Sequence, residues 1–127
     1  MKVKITLLIT SIDNQRNITD DKRCLLYLDD DCKLPSRYVS TRSVDDTVKE
    51  VIGANLNLDP DWLQFFIAGF RTLNISEVEA VYVVMTPRMS GANKVGGFFS
   101  PVDLQKMEIE LDDYYNELSA RASQFRR

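Results

Sequence analysis

From Lys2 to Thr10 the apolar Val3, Ile5, Leu7 and Ile9 alternate with Lys4, Thr6 and Leu8, a period of two that predicts a strand. The stretch Ser11 to Lys22, with Asp13, Asn14, Gln15, Arg16 and Asn17, can bury nothing useful and reads as a loop. Cys24 to Leu28 predicts a short second strand. Asp29, Asp30 and Asp31 then make a turn, because aspartate side chains bond nearby backbone amides and tolerate unusual dihedrals. Ser43 followed by Val44, Asp45 and Asp46 is a helix start: the hydroxyl caps the first turn and the aspartates favour its positive end. Val44, Val48, Val51 and Ile52 lie on one face of that helix, so Asp46, Lys49 and Glu50 point away from it. Gly53, Ala54 and Asn55 weaken the helix, and Asp59-Pro60 breaks the chain direction.

Trp62 to Phe70 and Val78 to Met85 are aromatic and β-branched, which predicts two central strands, antiparallel across a polar connection holding Asn74 and Ser76. Adjacent Phe65 and Phe66 must face opposite sides of their strand, so both faces of the sheet are expected to be covered. Pro87 to Gly97 reads as a loop. Pro101, Leu104, Met107, Leu111, Tyr114 and Leu118 predict one long final helix with a stripe against the sheet. That stripe runs for barely two and a half heptads, short for a coiled coil, and oligomerisation through it is the weaker alternative.

Composition narrows what such a chain does. At 127 residues and 44% hydrophobic it is one domain, residues 1–127, with one core. A net charge of −3 disfavours nucleic acid and anionic lipid as partners. No apolar run approaches the roughly 20 residues that span a bilayer, and the first residues read as a strand, so the expectation is a cytoplasmic protein without a membrane role. Cys24 and Cys32 lack a paired metal-ligand spacing and are expected to be free thiols. The sequence has no histidine. That removes His-based general base catalysis, the Ser-His and Cys-His pairs and most zinc sites.

The remaining candidate chemistry is carboxylate and cation. Asp46 and Glu50, four apart, share one helix face and could hold one hydrated divalent ion loosely; a solvated helix face is the blander explanation. Glu79, which with Glu77 opens the second aromatic strand, could add a ligand from the sheet, as Asp45 could from the helix. The acidic turn Asp29 to Asp31 could hold a cation only if ligands converged on it from elsewhere. Arg71, Arg88 and Lys94 are candidate phosphate contacts. The loop from Arg88 to Gly97 has no acidic residue to act as a base.

The order strand, loop, strand, acidic turn, Leu34-Pro35, capped helix, two aromatic strands, glycine-rich loop, Phe98-Phe99 and final helix resembles the Nudix hydrolase superfamily over nearly the whole chain. The resemblance implies an α+β fold, a Nudix-like αβα sandwich whose mixed sheet lies between a capped central helix and a C-terminal helix. It also implies, for intact members, magnesium held by glutamates and cleavage of nucleoside diphosphate derivatives. The Nudix box is a glycine, five residues, a glutamate, seven residues, then R-E-U-x-E-E-x-G-U with U apolar. Here Leu34-Pro35 is similar to the family's L-P, but Ser36 and Arg37 stand in place of the paired glycines. Lys49-Glu50-Val51 is similar to the R-E-U step, so Glu50 is the one box glutamate kept. Gly53 and Ala54 stand where two glutamates are expected, and Ser43 where the earlier one is, with a shorter segment between.

A magnesium ion that activates water needs several hard oxygen ligands converging at about 2.1 Å. The sequence therefore points to a non-catalytic Nudix-fold module without a cofactor, contacting a protein partner or a nucleotide. The alternative is a divergent magnesium-dependent hydrolase using Glu50 and Asp46, with Asp45 or Glu79 assisting. A small self-associating structural protein, joined through the final helix or through aromatics around Trp62, Phe65 and Phe66, is the weakest expectation.

Overall fold

The computed structural model describes residues 2–12, 24–40, 43–87, 95–99, 101–109, 111–115 and 117–118. The elements are β1 (Lys2–Ile12), β2 (Cys24–Leu28), β3 (Ser36–Tyr38), α1 (Val44–Asn55), a 3-10 turn (Pro60–Trp62), β4 (Gln64–Asn74), β5 (Glu77–Pro87), β6 (Gly97–Phe99) and α2 (Pro101–Lys106). The strands form one mixed sheet in the order β4-β5-β1-β2-β6, with β3 pairing β1 beyond the end of β2. β1 and β5 run parallel at the centre for their full length, from Lys2 opposite Glu77 to Ile12 opposite Pro87. Every other pairing is antiparallel.

The two central strands are buried on both faces, and each face has its own core. Ile5, Leu7, Ile9, Ala80, Tyr82 and Val84 pack with Val48, Val51 and Ile52 of α1. Leu8, Val81 and Val83 pack with Leu118, flanked by Leu104, Leu111, Tyr114 and Tyr115. The split of Phe65 and Phe66 expected from strand geometry is found: Phe65 joins the α1-side core and Phe66 the other. The αβα layering follows from this, since a sheet apolar on both faces must be covered on both.

Several sequence expectations are revised. Trp62 belongs to the 3-10 turn, with Asp59 as its cap, and the strand begins at Gln64. Among the described residues that strand, β4, lies at the end of the sheet order, and of the pair only β5 is central. Ser36–Tyr38 and Gly97–Phe99 are strands the sequence did not announce, both of three residues, too short to show a period. The single long final helix is also broken. α2 stops at Lys106, and the chain is helical again at 113–115 and 117–118.

The stop is a Schellman motif in which Ile109 N–H reaches Leu104 C=O and Glu108 N–H reaches Gln105 C=O. Glu108 takes φ 57° there, a left-handed position that glycine usually fills, which is why the sequence hid it. The break leaves Met107 exposed while Leu111, Tyr114 and Leu118 still reach the sheet. Among the described residues, no straight apolar stripe runs unbroken from Pro101 to Leu118. No described helix is long and apolar enough to cross a membrane. The loop expected over Ser11 to Lys22 and the Pro87–Gly97 loop lie mostly outside the described residues.

Candidate functional site

α1 is the element on which the metal expectation rests. Ser43 sits in extended conformation, and its Oγ accepts from Asp46 N–H at 3.2 Å, fixing the helix start. Thr47, Val48, Val51 and Ile52 are buried against the sheet, which forces Asp46 outward and Glu50 to the rim. Glu50 Oε2 faces Arg37 of β3 at 3.4 Å, and Lys49 Nζ contacts Asp61 Oδ1 at 3.0 Å. The Asp61 carboxylate raises the Lys49 ammonium above its ordinary range. One turn further on, a Cβ added at Gly53 would meet open space, and Ala54 is exposed. Nothing sterically prevents acidic side chains there; the sequence does not supply them.

Glu79 is not near this helix. It pairs in register with Lys4 and with Arg71, on the face opposite α1, and is 1% exposed. Its carboxylate accepts from Thr6 Oγ1 at 2.6 Å, from the Tyr115 hydroxyl at 2.6 Å and from Arg71 Nε at 2.8 Å. Burial alone would raise the Glu79 carboxyl, but those three donors and the Arg71 charge outweigh it and hold the group below the usual carboxylate range. Burial and the bond to Glu79 push the Tyr115 phenol up to about 12. Arg71 also donates to Asp112 at 2.9 Å and to the Tyr115 hydroxyl at 3.0 Å, with its guanidinium 4.8 Å from the Tyr114 ring centre.

The proposed set of Asp46, Glu50 and Glu79 is thus divided by the sheet. Magnesium does not fit it: two outward carboxylates, one already facing an arginine, do not make a converging oxygen cage. Among the described residues, one group of three acidic ligand atoms does cluster, in the turn Asp29 to Asp31. There Asp29 Oδ1 already accepts from Asp31 N–H at 2.9 Å and Lys33 N–H at 3.1 Å, closing the turn as the sequence suggested. Arg71, a phosphate candidate on sequence, is engaged through three of its donors by the chain's own side chains. Arg88 and Lys94 lie outside the described residues. Cys32 is a free, exposed thiol.

What sequence reasoning missed is a pocket of about 280 Å³ on the face opposite α1, between the sheet and Ile109, Leu111, Asp112 and Tyr115. Thr6 and Tyr115 line it beside the Glu79 network, Leu34 and Leu111 supply apolar wall, and Lys4 and Lys33 are the cations lining it. A signal in the sequence was Thr6, a polar residue between Lys4 and Leu8 on one face of a strand whose other face is aliphatic.

Structural comparison places this arrangement. The chain is similar to a mutT/nudix family protein from Listeria innocua, at TM-score 0.66 and 12% identity over 97% of this chain and 93% of that one. The fold is Nudix-like. A second similar structure is the NUDIX domain of Shewanella oneidensis NrtR, solved with ADP ribose, at TM-score 0.64 and 11% identity over 96% of this chain and 87% of that one. A third comes from the complex between the C-terminal domain of mouse MUTYH and human PCNA, at TM-score 0.64 and 11% identity over 99% of this chain and 90% of that one. No family model and no curated protein matches the sequence. The Nudix-like fold thus stands on shape.

Proposed function

We propose that this chain is a non-catalytic Nudix-fold binding module, contacting a protein partner or a nucleotide. The observation that carries the reading is α1, where Glu50 faces Arg37 and the next turn offers Gly53 and Ala54. Function resides in the site and not in the fold, so a Nudix-like shape does not by itself restore chemistry to a helix with only outward, non-converging carboxylates. The pocket beside Thr6 and Tyr115 gives a small ligand somewhere to lodge that does not depend on that helix. Two of the similar structures are complexes, one with ADP ribose and one between two proteins, and both kinds of occupant suit a module of this shape.

The test is calorimetric titration with magnesium and manganese, and with ADP ribose, beside a phosphate-release screen over nucleoside diphosphate derivatives. Wild type and Glu50→Gln should both be silent in the metal titration and the screen. Metal-dependent turnover that disappears in Glu50→Gln would overturn the reading and make the chain a hydrolase working through Asp46 and Glu50. Gly53→Glu with Ala54→Glu is the complementary variant: space is open at both positions, so the folded protein should gain magnesium affinity that wild type lacks.

A further inference from the structure

The pocket beside Thr6 is lopsided in its polar groups. β3 sets Ser36 opposite Thr6, two residues along β1 from Lys4, so these three side chains share the face opposite α1. Of the lining residues Asp112 alone is acidic, and both its oxygens are engaged, one by Arg71 and one by the Tyr114 N–H. The hydroxyls of Thr6 and Tyr115 both donate to Glu79. The remaining donors are unspent. Among the described residues Lys4 and Lys33 have no acidic partner, and the Ser36 hydroxyl has no hydrogen-bond partner. Asp29 is turned to its own loop, where it accepts from the Asp31 and Lys33 amides, and does not line the pocket. A cavity with a spent carboxylate and unspent cationic donors is complemented by acceptor oxygens that carry negative charge.

We infer that this pocket binds a small organic monoanion, a carboxylate on a compact apolar body. The carboxylate meets Lys4, Lys33 and the Ser36 hydroxyl, and the body lies against Leu34, Leu111 and Ile109. Charge selects the class. Lys4, Lys33 and Arg71 set three positive charges against the two negative ones of Glu79 and Asp112, which leaves one to neutralise. A phosphate dianion exceeds that, and Arg71, whose fork would grip phosphate best, is already held by Glu79 and Asp112. Size selects the body: about 280 Å³ lies just under the roughly 300 Å³ at which pockets for drug-sized ligands begin. The inference deepens the binding reading and rests on it only in taking the pocket for a ligand site; α1 plays no part in it.

The probes are benzoate, acetate, benzylamine and phenyl phosphate, each titrated at low salt while the backbone amide resonances are followed. Benzoate should saturate with a Kd of about 1 mM and shift the amides of Lys4, Thr6, Lys33 and Ser36. Acetate, without the apolar body, should bind at least about tenfold more weakly, and benzylamine and phenyl phosphate more weakly than benzoate. Lys33→Met, at an exposed position that leaves the fold intact, should weaken benzoate at least about fivefold, and Lys4→Met should do the same. Lys49→Met, whose ammonium sits on α1 beside Asp61, should leave benzoate binding unchanged.

An absence of benzoate-dependent shifts at the pocket amides overturns the inference. So does equal affinity of wild type and Lys33→Met, acetate binding as tightly as benzoate, or tighter binding of benzylamine or phenyl phosphate. Such a failure leaves the binding module with a protein partner, whereas metal-dependent turnover lost in Glu50→Gln overturns the module and leaves the pocket assignment standing.

Discussion

Glu50 and Glu79 are the same side chain on opposite faces of one sheet, and they meet opposite fates. Glu50 sits on the solvent rim of α1 with its partner Arg37 at 3.4 Å, both side chains more than a third exposed. Glu79 sits inside, with three donors within 2.8 Å. Water screens the first pair, so it contributes little to stability whichever residues form it. The second is costly to leave incomplete, because a buried carboxylate without its cation retains the whole desolvation penalty. The rim of α1 is therefore the tolerant region here, and the face that holds the C-terminal segment is the exacting one.

The largest expected break in that contrast is Arg71→Met, which leaves Glu79 buried without its cation. Urea denaturation should show a loss of about 3 kcal/mol. A loss below about 1 kcal/mol would mean that Thr6 and Tyr115 suffice, and the contrast between the faces would fail. A pH series sharpens it. The folded-state Glu79 carboxyl lies below its usual range, so its contribution is complete above the unfolded carboxylate range near about 4.3 and is lost as the pH falls below it. Glu79→Gln should flatten that acid limb of the stability curve. Ser43→Ala removes the acceptor for Asp46 N–H and should cost about 1 kcal/mol in thermal or urea unfolding. Smallest is Glu50→Gln, expected to change stability by less than about 0.5 kcal/mol in the same assay. A larger effect would show that Glu50 has a role beyond its exposed pair with Arg37.

Much of the fold was legible because burial imposes a period. β1, β2, α1 and β5 follow their apolar spacing, and the Ser43 cap is written in residue type. What escaped was set by contacts distant in sequence or by unusual backbone. β3 and β6 are three-residue strands that exist because β1 and β2 offer them edges. The stop after α2 depends on Glu108 accepting a left-handed φ. Of the candidate site, the absence of side-chain oxygens at Gly53 and Ala54 could be read directly, since residue type needs no geometry to be noticed.

The sequence by itself determined that both faces of the sheet are apolar, that α1 is capped at Ser43, and that Gly53 and Ala54 supply no ligand. Only the tertiary structure decided that Glu79 lies across the sheet from Asp46, bound to an arginine that reads in sequence like a phosphate contact. It also decided that Ile67 and Phe70 share the α1 side of β4, across the register shift at Ala68. The reason is physical. Periodicity records how each residue relates to its own strand or helix, whereas the partner of a buried charge, and the face a bulge presents, depend on which elements the chain brings together.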